Sequence, residues 1–218
     1  MSKSETANFK APNEAAENLA AAVDALKGGH VIVFPTETLY GLGADALNEA
    51  AVEKIFDLKG RDPRNPIPVL VADQEMLNTL VAKVPTTAQK LIDRYWPGPL
   101  TLVLPGRKHI AEALCNSAGG VGVRISSEPI ATFLIKGLGR PLTATSANPS
   151  RKDPARTVEE AKRYFAGKVE VFVNGGTLTS KRGSTVIEPL EDTIRIIREG
   201  EISAVELRQF LGSDKILA

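Results

Sequence analysis

The chain has 218 residues, 43% of them hydrophobic and 24% charged, enough apolar material for one ordinary globular core. Its 27 Lys and Arg against 26 Asp and Glu leave a net charge of +1, which excludes a global basic field for nucleic acid, so anion binding must come from local clusters. The single cysteine, Cys115, excludes an internal disulfide and a cysteine-rich metal site.

Residues 1–12 are polar and weakly patterned, which predicts a flexible arm ahead of a single domain over residues 13–218. From Asn13 a stripe of Leu19, Ala22, Val23 and Leu26 predicts a helix that Gly28 and Gly29 stop. Residues 30–34 read as a buried strand. It runs into PTETLYGLG at 35–43, where a proline ends the strand, two threonine hydroxyls and a carboxylate follow, and a glycine pair is expected to turn the backbone tightly. Asn48 caps a second helix through Leu58, with Val52, Ile55 and Phe56 inward. After the polar stretch KGRDPRNP at 59–66, residues 67–72 read as a strand.

Thr86 and Gln89 have the spacing of a capping box for a helix through about Tyr95. Trp96-Pro97-Gly98-Pro99 reads as a rigid packed corner. Residues 100–104 and 121–125 are predicted strands. A short helix over 129–136 is expected to end at Gly137 and Gly139. A strand over 142–145 follows. Thr157 and Glu160 form another capping box, for a helix to Phe165. Strands are predicted over 169–173, 184–188 and 193–198, and Ser203 with Glu206 caps a last helix. Strands and helices alternate, with several strands in succession near the end. The fold class this implies is α/β: one twisted mixed β-sheet flanked by helices, in a single domain. No stretch approaches the ~18 apolar residues of a membrane span and the first residues are polar, so a cytoplasmic protein with no membrane partner is expected.

Three cations fall in the 59–66 stretch. A Lys-x-Arg after the apolar end of a helix reads, by itself, as a solvated complement to the helix dipole. The surrounding prolines restrict this loop, however, and arginine can grip a phosphate or carboxylate with two donors while lysine supplies a point charge. Thr143, Thr145, Ser146 and Asn148 follow a short strand, and alone they read as a polar turn satisfying its own backbone. Alternation along 121–125 puts Val121, Val123 and Ile125 on one face and Gly122 and Arg124 on the other, beside room for a ligand. Glu37 and Asp45 have no informative metal spacing, so no metal site is expected. His30 and His109 read as structural or exposed, and Cys115 as inert packing. There is no G-x-x-x-x-G-K-S/T and no strand-associated G-x-G-x-x-G, so any ATP site is neither a P-loop nor a Rossmann turn.

The string PTETLYGLG, followed at this spacing by KGR and NP, resembles the YrdC-like threonylcarbamoyl-AMP synthase family. WPGPLTLVLP at 96–105, VGVRI at 121–125, TSANPS at 145–150, GSTVIE at 183–188 and IIREGEIS at 196–203 extend the resemblance in family order from about residue 20 to residue 203. The resemblance implies an enzyme that joins L-threonine, bicarbonate and ATP into threonylcarbamoyl-AMP and pyrophosphate, for threonylcarbamoyladenosine modification of tRNA. Carried over residue by residue, it implies Lys59 and Arg61 as the catalytic clamp on the phosphates. Thr36, Thr38, Arg124 and Ser184 would contact threonine. Asn65, Ser146, Asn148 and Arg198 would hold the nucleotide with Lys59 and Arg61. Mg2+ would arrive with ATP. Weak tRNA or RNA binding and downstream threonylcarbamoyl-transferase proteins are the further partners implied. Arg64 has no matching role and is expected to be solvated.

The chain departs from the family pattern where Leu70 stands in place of a histidine, so a contact to threonine is expected to be missing or supplied otherwise. The family's Glu-Ser-Thr is Gly183-Ser184-Thr185, its Pro-Ser-Ala-Asn is Thr145-Ser146-Ala147-Asn148, and the added C-terminal domain of longer members is not expected. Two other readings stand beside the first. One is an RNA-binding protein using the same basic surface, with strongly salt-dependent affinity. The other is a carbamoyl-adenylate enzyme with another acceptor, as in hydrogenase maturation proteins built around a similar domain.

Overall fold

A computed structural model of the chain describes residues 5–7 and 12–217. Within the expected arm, Glu5–Ala7 forms a short strand (β1) and Pro12 opens the first helix; the other positions before it lie outside the described residues.

Helix α1 (Pro12–Lys27) leads into β2 (Ile32–Phe34) and β3 (Gly41–Gly43). The two strands pair antiparallel, with Phe34 opposite Gly41. The Gly41–Gly43 pair is therefore strand, not the tight turn expected. A Cβ on Gly43 would come within 2.6 Å of the Phe34 ring, and one on Gly41 within 3.2 Å. The glycines are required by close packing under an aromatic ring rather than by backbone conformation.

Helix α2 (Glu49–Lys59) is capped as expected: the Asn48 side chain accepts from Ala51 N. It ends at Gly60, which adopts the left-handed conformation (φ 56°, ψ 43°). Strand β4 (Val69–Leu70) precedes α3 (Gln74–Leu80), a helix the sequence pattern does not announce, since only Leu77 and Leu80 are buried on it. Its signal is the cap, Asp73 accepting from Met76 N. Helix α4 (Thr86–Tyr95) starts one residue earlier than a Thr86 cap requires. Pro85 takes the cap position with no side-chain hydrogen bond, and the expected box does not form. Strands β5 (Leu100–Pro105) and β6 (Gly120–Arg124) follow.

In α5 (Pro129–Leu138), Gly137 lies inside the helix and only Gly139 ends it. A Cβ on Gly137 would come within 2.7 Å of Val23, so this glycine lets α1 and α5 approach. In α6 (Val158–Phe165), Thr157 caps Glu160 N as expected, but the Glu160 carboxylate accepts from Arg156 N instead of closing the box on Thr157.

Two mixed sheets form where one was expected. Strands β9 (Val171–Val173), β10 (Thr185–Pro189), β11 (Ile194–Arg198) and β12 (Ile216–Leu217) complete them, together with β7 (Leu142–Thr143) and β8 (Thr145–Ser146). The orders are β1-β9-β2-β3-β8 and β12-β11-β10-β5-β6-β4-β7. The single strand read over 142–145 is split at Ala144. Leu142 pairs with Leu70 in the larger sheet, while Thr145 pairs with Leu42 in the smaller one. Ala144 itself donates to Pro68 O.

One apolar cluster fills the space between the sheets, including Val33, Leu42 and Phe172 from one and Val69, Leu100, Leu102 and Val123 from the other. A second cluster seats α1 and α5 against Ile32, Phe34, Leu70 and Leu142. The last helix, α7 (Ala204–Leu211), is capped by Ser203 as expected. No helix among the described residues is long and apolar enough to cross a membrane.

Candidate active site

A cavity of about 360 Å³ opens where the two sheets meet at the Ala144 break. Thr36, Thr38, Arg61, Arg124, Ser146, Ser184 and Arg198 line it, so sequence-distant candidates converge on one space. Lys59, Asn65 and Asn148 do not line it.

The Thr36–Tyr40 turn is built by hydroxyls. Thr36 Oγ1 donates its proton to Leu39 O (2.7 Å) and accepts from Thr38 N and Leu39 N (both 3.2 Å). Thr36 is thereby used by the turn itself. Its contact with Thr38 Oγ1 (3.1 Å) then takes Thr38 as the donor, because Thr36's only proton is committed. Thr38 keeps acceptor capacity for a ligand's N–H or O–H.

Three guanidinium groups supply the charge. Gly60 turns the chain so that Lys59 and Arg61 take different directions. Arg61 reaches the cavity, held by Nε to Asn65 O (2.8 Å) and Nη2 to Pro66 O (3.1 Å). Asn65 thus serves through its carbonyl, while its side chain is exposed. Arg124, at the end of β6, pairs with Glu37 at 2.9 Å, both side chains being largely buried. Gly122 keeps that strand close to Pro68 and Thr101. Arg198 Nη2 donates to Ser184 O at 2.8 Å, and Ser184 Oγ meets Thr101 Oγ1 at the same distance.

Burial lowers the pKa of all three arginines, and for Arg198 the charges of Arg124 and Arg61 add to the effect. Arg198 is still an exposed residue, so its shift weighs less than the other two. Like charges held this close favour an anion between them.

Lys59 is 3% exposed, and its ammonium lies behind the cavity wall. It donates to Ser146 O and Asn148 O at 2.5 and 2.7 Å and to Asn148 Oδ1 at 3.4 Å. Burial, with Arg61 second, lowers its pKa to about 7. The three oxygen acceptors pull the other way, toward the ammonium form. Asn148 Nδ2 donates to Pro149 O and Lys152 O, so this amide shapes the 146–152 loop. Arg64 is exposed and forked onto Asp62, away from the cavity. Leu70, at the place of the family histidine, is fully buried in the apolar cluster under α1 and α5.

Sequence reasoning did not assign the supports. Thr185 Oγ1 donates to Ile202 O (2.6 Å) and accepts from Gly200 N and Ile202 N, tying the segment after β11 to β10. Ser126 is a buried polar residue outside every quoted motif, and Thr101, inside WPGPLTLVLP, was read only as strand. Glu37 stood inside the most legible motif, but its role depends on an arginine 87 positions away.

An α/β protein with an arginine-lined cavity between two mixed sheets is the class that fold and site define. The Sua5/YciO/YrdC family model, described as telomere recombination, matches residues 24–200, and the chain belongs to that family. It is 38% identical over 191 residues to a threonylcarbamoyl-AMP synthase of Pyrococcus abyssi, an alignment covering 88% of this chain and 56% of the relative. Among solved structures it resembles P. abyssi Sua5 complexed with L-threonine, with a TM-score of 0.87 and 37% identity over 91% of this chain and 58% of that one. It also resembles Escherichia coli YciO, with a TM-score of 0.80 and 28% identity over 92% and 97% of the two chains. The chain therefore spans little more than half the length of the Pyrococcus relative and nearly all of YciO.

Proposed function

We propose that the protein is a threonylcarbamoyl-AMP synthase, joining L-threonine, bicarbonate and ATP and releasing pyrophosphate and water. The observation that carries the reading is the convergence of Arg61, Arg124 and Arg198 with the Thr38 and Ser184 hydroxyls on one cavity. The likeness to a relative of that name, and to a solved Sua5 complexed with L-threonine, supports it.

The reaction needs two anions side by side. The threonine nitrogen takes up CO2 from bicarbonate to give a carbamate, which reverts readily in water. A carbamate oxygen then attacks the α-phosphorus and pyrophosphate leaves. The protein's task is to hold like charges together and keep water out. Arg124, Thr38 and Ser184 suit the amino acid. Arg61 and Arg198 suit the phosphates, where they offset charge as the bond to pyrophosphate breaks. Ser146 borders the nucleotide, while Lys59 and Asn148 keep its loop in place. This is nucleotidyl transfer by positioning, with no covalent enzyme intermediate. Magnesium fits as part of the ATP complex, since no three His, Cys, Asp or Glu groups cluster among the described residues to hold a metal of the protein's own. Hand-off of the adenylate to a threonylcarbamoyl transferase acting on tRNA completes the proposal.

The test is pyrophosphate release from ATP with magnesium and bicarbonate, with and without L-threonine. Threonine-dependent release is expected, and Arg61→Ala should lower it about a hundredfold or more. ATP binding with no threonine-dependent release would sink the assignment and point to another acceptor.

A further inference from the structure

Glu37, between the cavity-lining Thr36 and Thr38, is not itself a lining residue but pairs with the cavity-lining Arg124. Arg182 and Glu199, which also line the cavity, pair with each other at 3.3 Å. Glu37 is fixed at both oxygens. Oε1 accepts from Arg124 Nη1 at 2.9 Å, and Oε2 accepts the Ser126 hydroxyl proton. Ser126 in turn accepts from Glu128 N (3.2 Å), at the cap of α5, so the carboxylate is anchored to a rigid element. The pair is well shielded, with side-chain exposures of 7% for Arg124 and 14% for Glu37.

We propose that Glu37 is a positioning residue that aims Arg124 and sets the net charge of the cavity, and thereby balances affinity for a zwitterionic amino acid against affinity for polyphosphate. The Glu37 carboxylate, paired with Arg124, offsets one of the three positive charges of Arg61, Arg124 and Arg198. A zwitterion has no net charge and profits from a correctly aimed guanidinium. A polyphosphate profits from every uncompensated cation. Glu37 therefore favours the amino acid and weakens retention of the leaving pyrophosphate. The amino-acid half of this inference rests on the function proposed above; the pyrophosphate half does not.

The experiment is calorimetric binding of L-threonine and of inorganic pyrophosphate, separately, to the full chain and to Glu37→Gln and Glu37→Asp. Removing one charge at this range should tighten pyrophosphate about tenfold in Glu37→Gln. Losing the ion pair that aims Arg124 should weaken L-threonine about tenfold in the same variant. Glu37→Asp keeps the charge on a shorter arm, so pyrophosphate should stay at the wild-type value while threonine still weakens. A purely structural role would weaken both ligands together. That result, or no change in either, overturns the proposal. Failure of the wild-type chain to bind L-threonine would instead remove the proposed substrate, and the pyrophosphate comparison would still decide the charge role of Glu37. Should Glu37→Gln not fold, the split expected of Glu37→Asp carries the test.

Discussion

Lys59 buries a cation against three oxygen acceptors, and its titration is readable in stability. Its pKa falls to about 7 in the fold, while the unfolded chain keeps its proton to near 10.5. Between those values the unfolded state binds more protons than the folded one, so this residue makes stability rise with pH there. Below about 7 both states are protonated, and the fold carries the full cost of the buried charge. Melting temperatures of the wild-type chain and Lys59→Met, measured from about pH 7 toward 10, should show the wild type gaining on the variant. A constant difference would mean that the carbonyls of Ser146 and Asn148 hold the ammonium near its ordinary value. The residue types at this site were legible: KGR, TSAN and the PTET turn each announced polar chemistry. Which atoms face the ligand was not. Lys59 and Asn148 proved to support a loop, and Asn65 contributes a carbonyl, because such roles depend on contacts across 87 and 89 positions in the first case and on backbone direction in the second.

At the scale of elements, local signals worked where they were self-contained. Asn48, Thr157 and Ser203 each cap the helix expected of them, since a cap needs only the next few backbone N–H groups. They failed where a neighbour in space decided the role. Gly43 and Gly137 read as turn and stop, yet one lies under Phe34 and the other against Val23. Gly200, for which the sequence offered no reading, is packed more tightly still. A Cβ there would lie 2.2 Å from Gly183 O, and Thr185 holds this backbone from the other side. Gly200→Ala should cost about 3 kcal/mol in urea unfolding, since backbone must move to admit the methyl. The displaced strand pair ends at Arg198 and is preceded by Ser184, so activity should fall as well. A neutral substitution would show that the two segments separate easily.

For the whole molecule, the two sheets share one apolar cluster and exchange a strand at Ala144, so neither can bury its inner face without the other. Unfolding should be a single transition. Trp96 fluorescence reports the corner leading into β5 of the larger sheet, and far-UV circular dichroism reports all elements. The two should give coincident urea midpoints. Separate midpoints would mean that the sheets are independent. The cavity lies on this same seam, so its residues come from both sheets and a ligand there bridges them.

The sequence by itself determined most helices and strands, because periodicity and caps act within a few residues. It also determined the family and the polar character of the candidate clusters, because these are written as contiguous strings. Only the tertiary structure decided that there are two sheets, since the strand read over 142–145 breaks at Ala144 and its two halves pair with partners far away in the chain. It alone decided which cations face the cavity and which stand behind its wall, and that Glu37 belongs to Arg124. Charge balance in a buried site is a property of distances between segments, and those distances come into being only when the chain has folded.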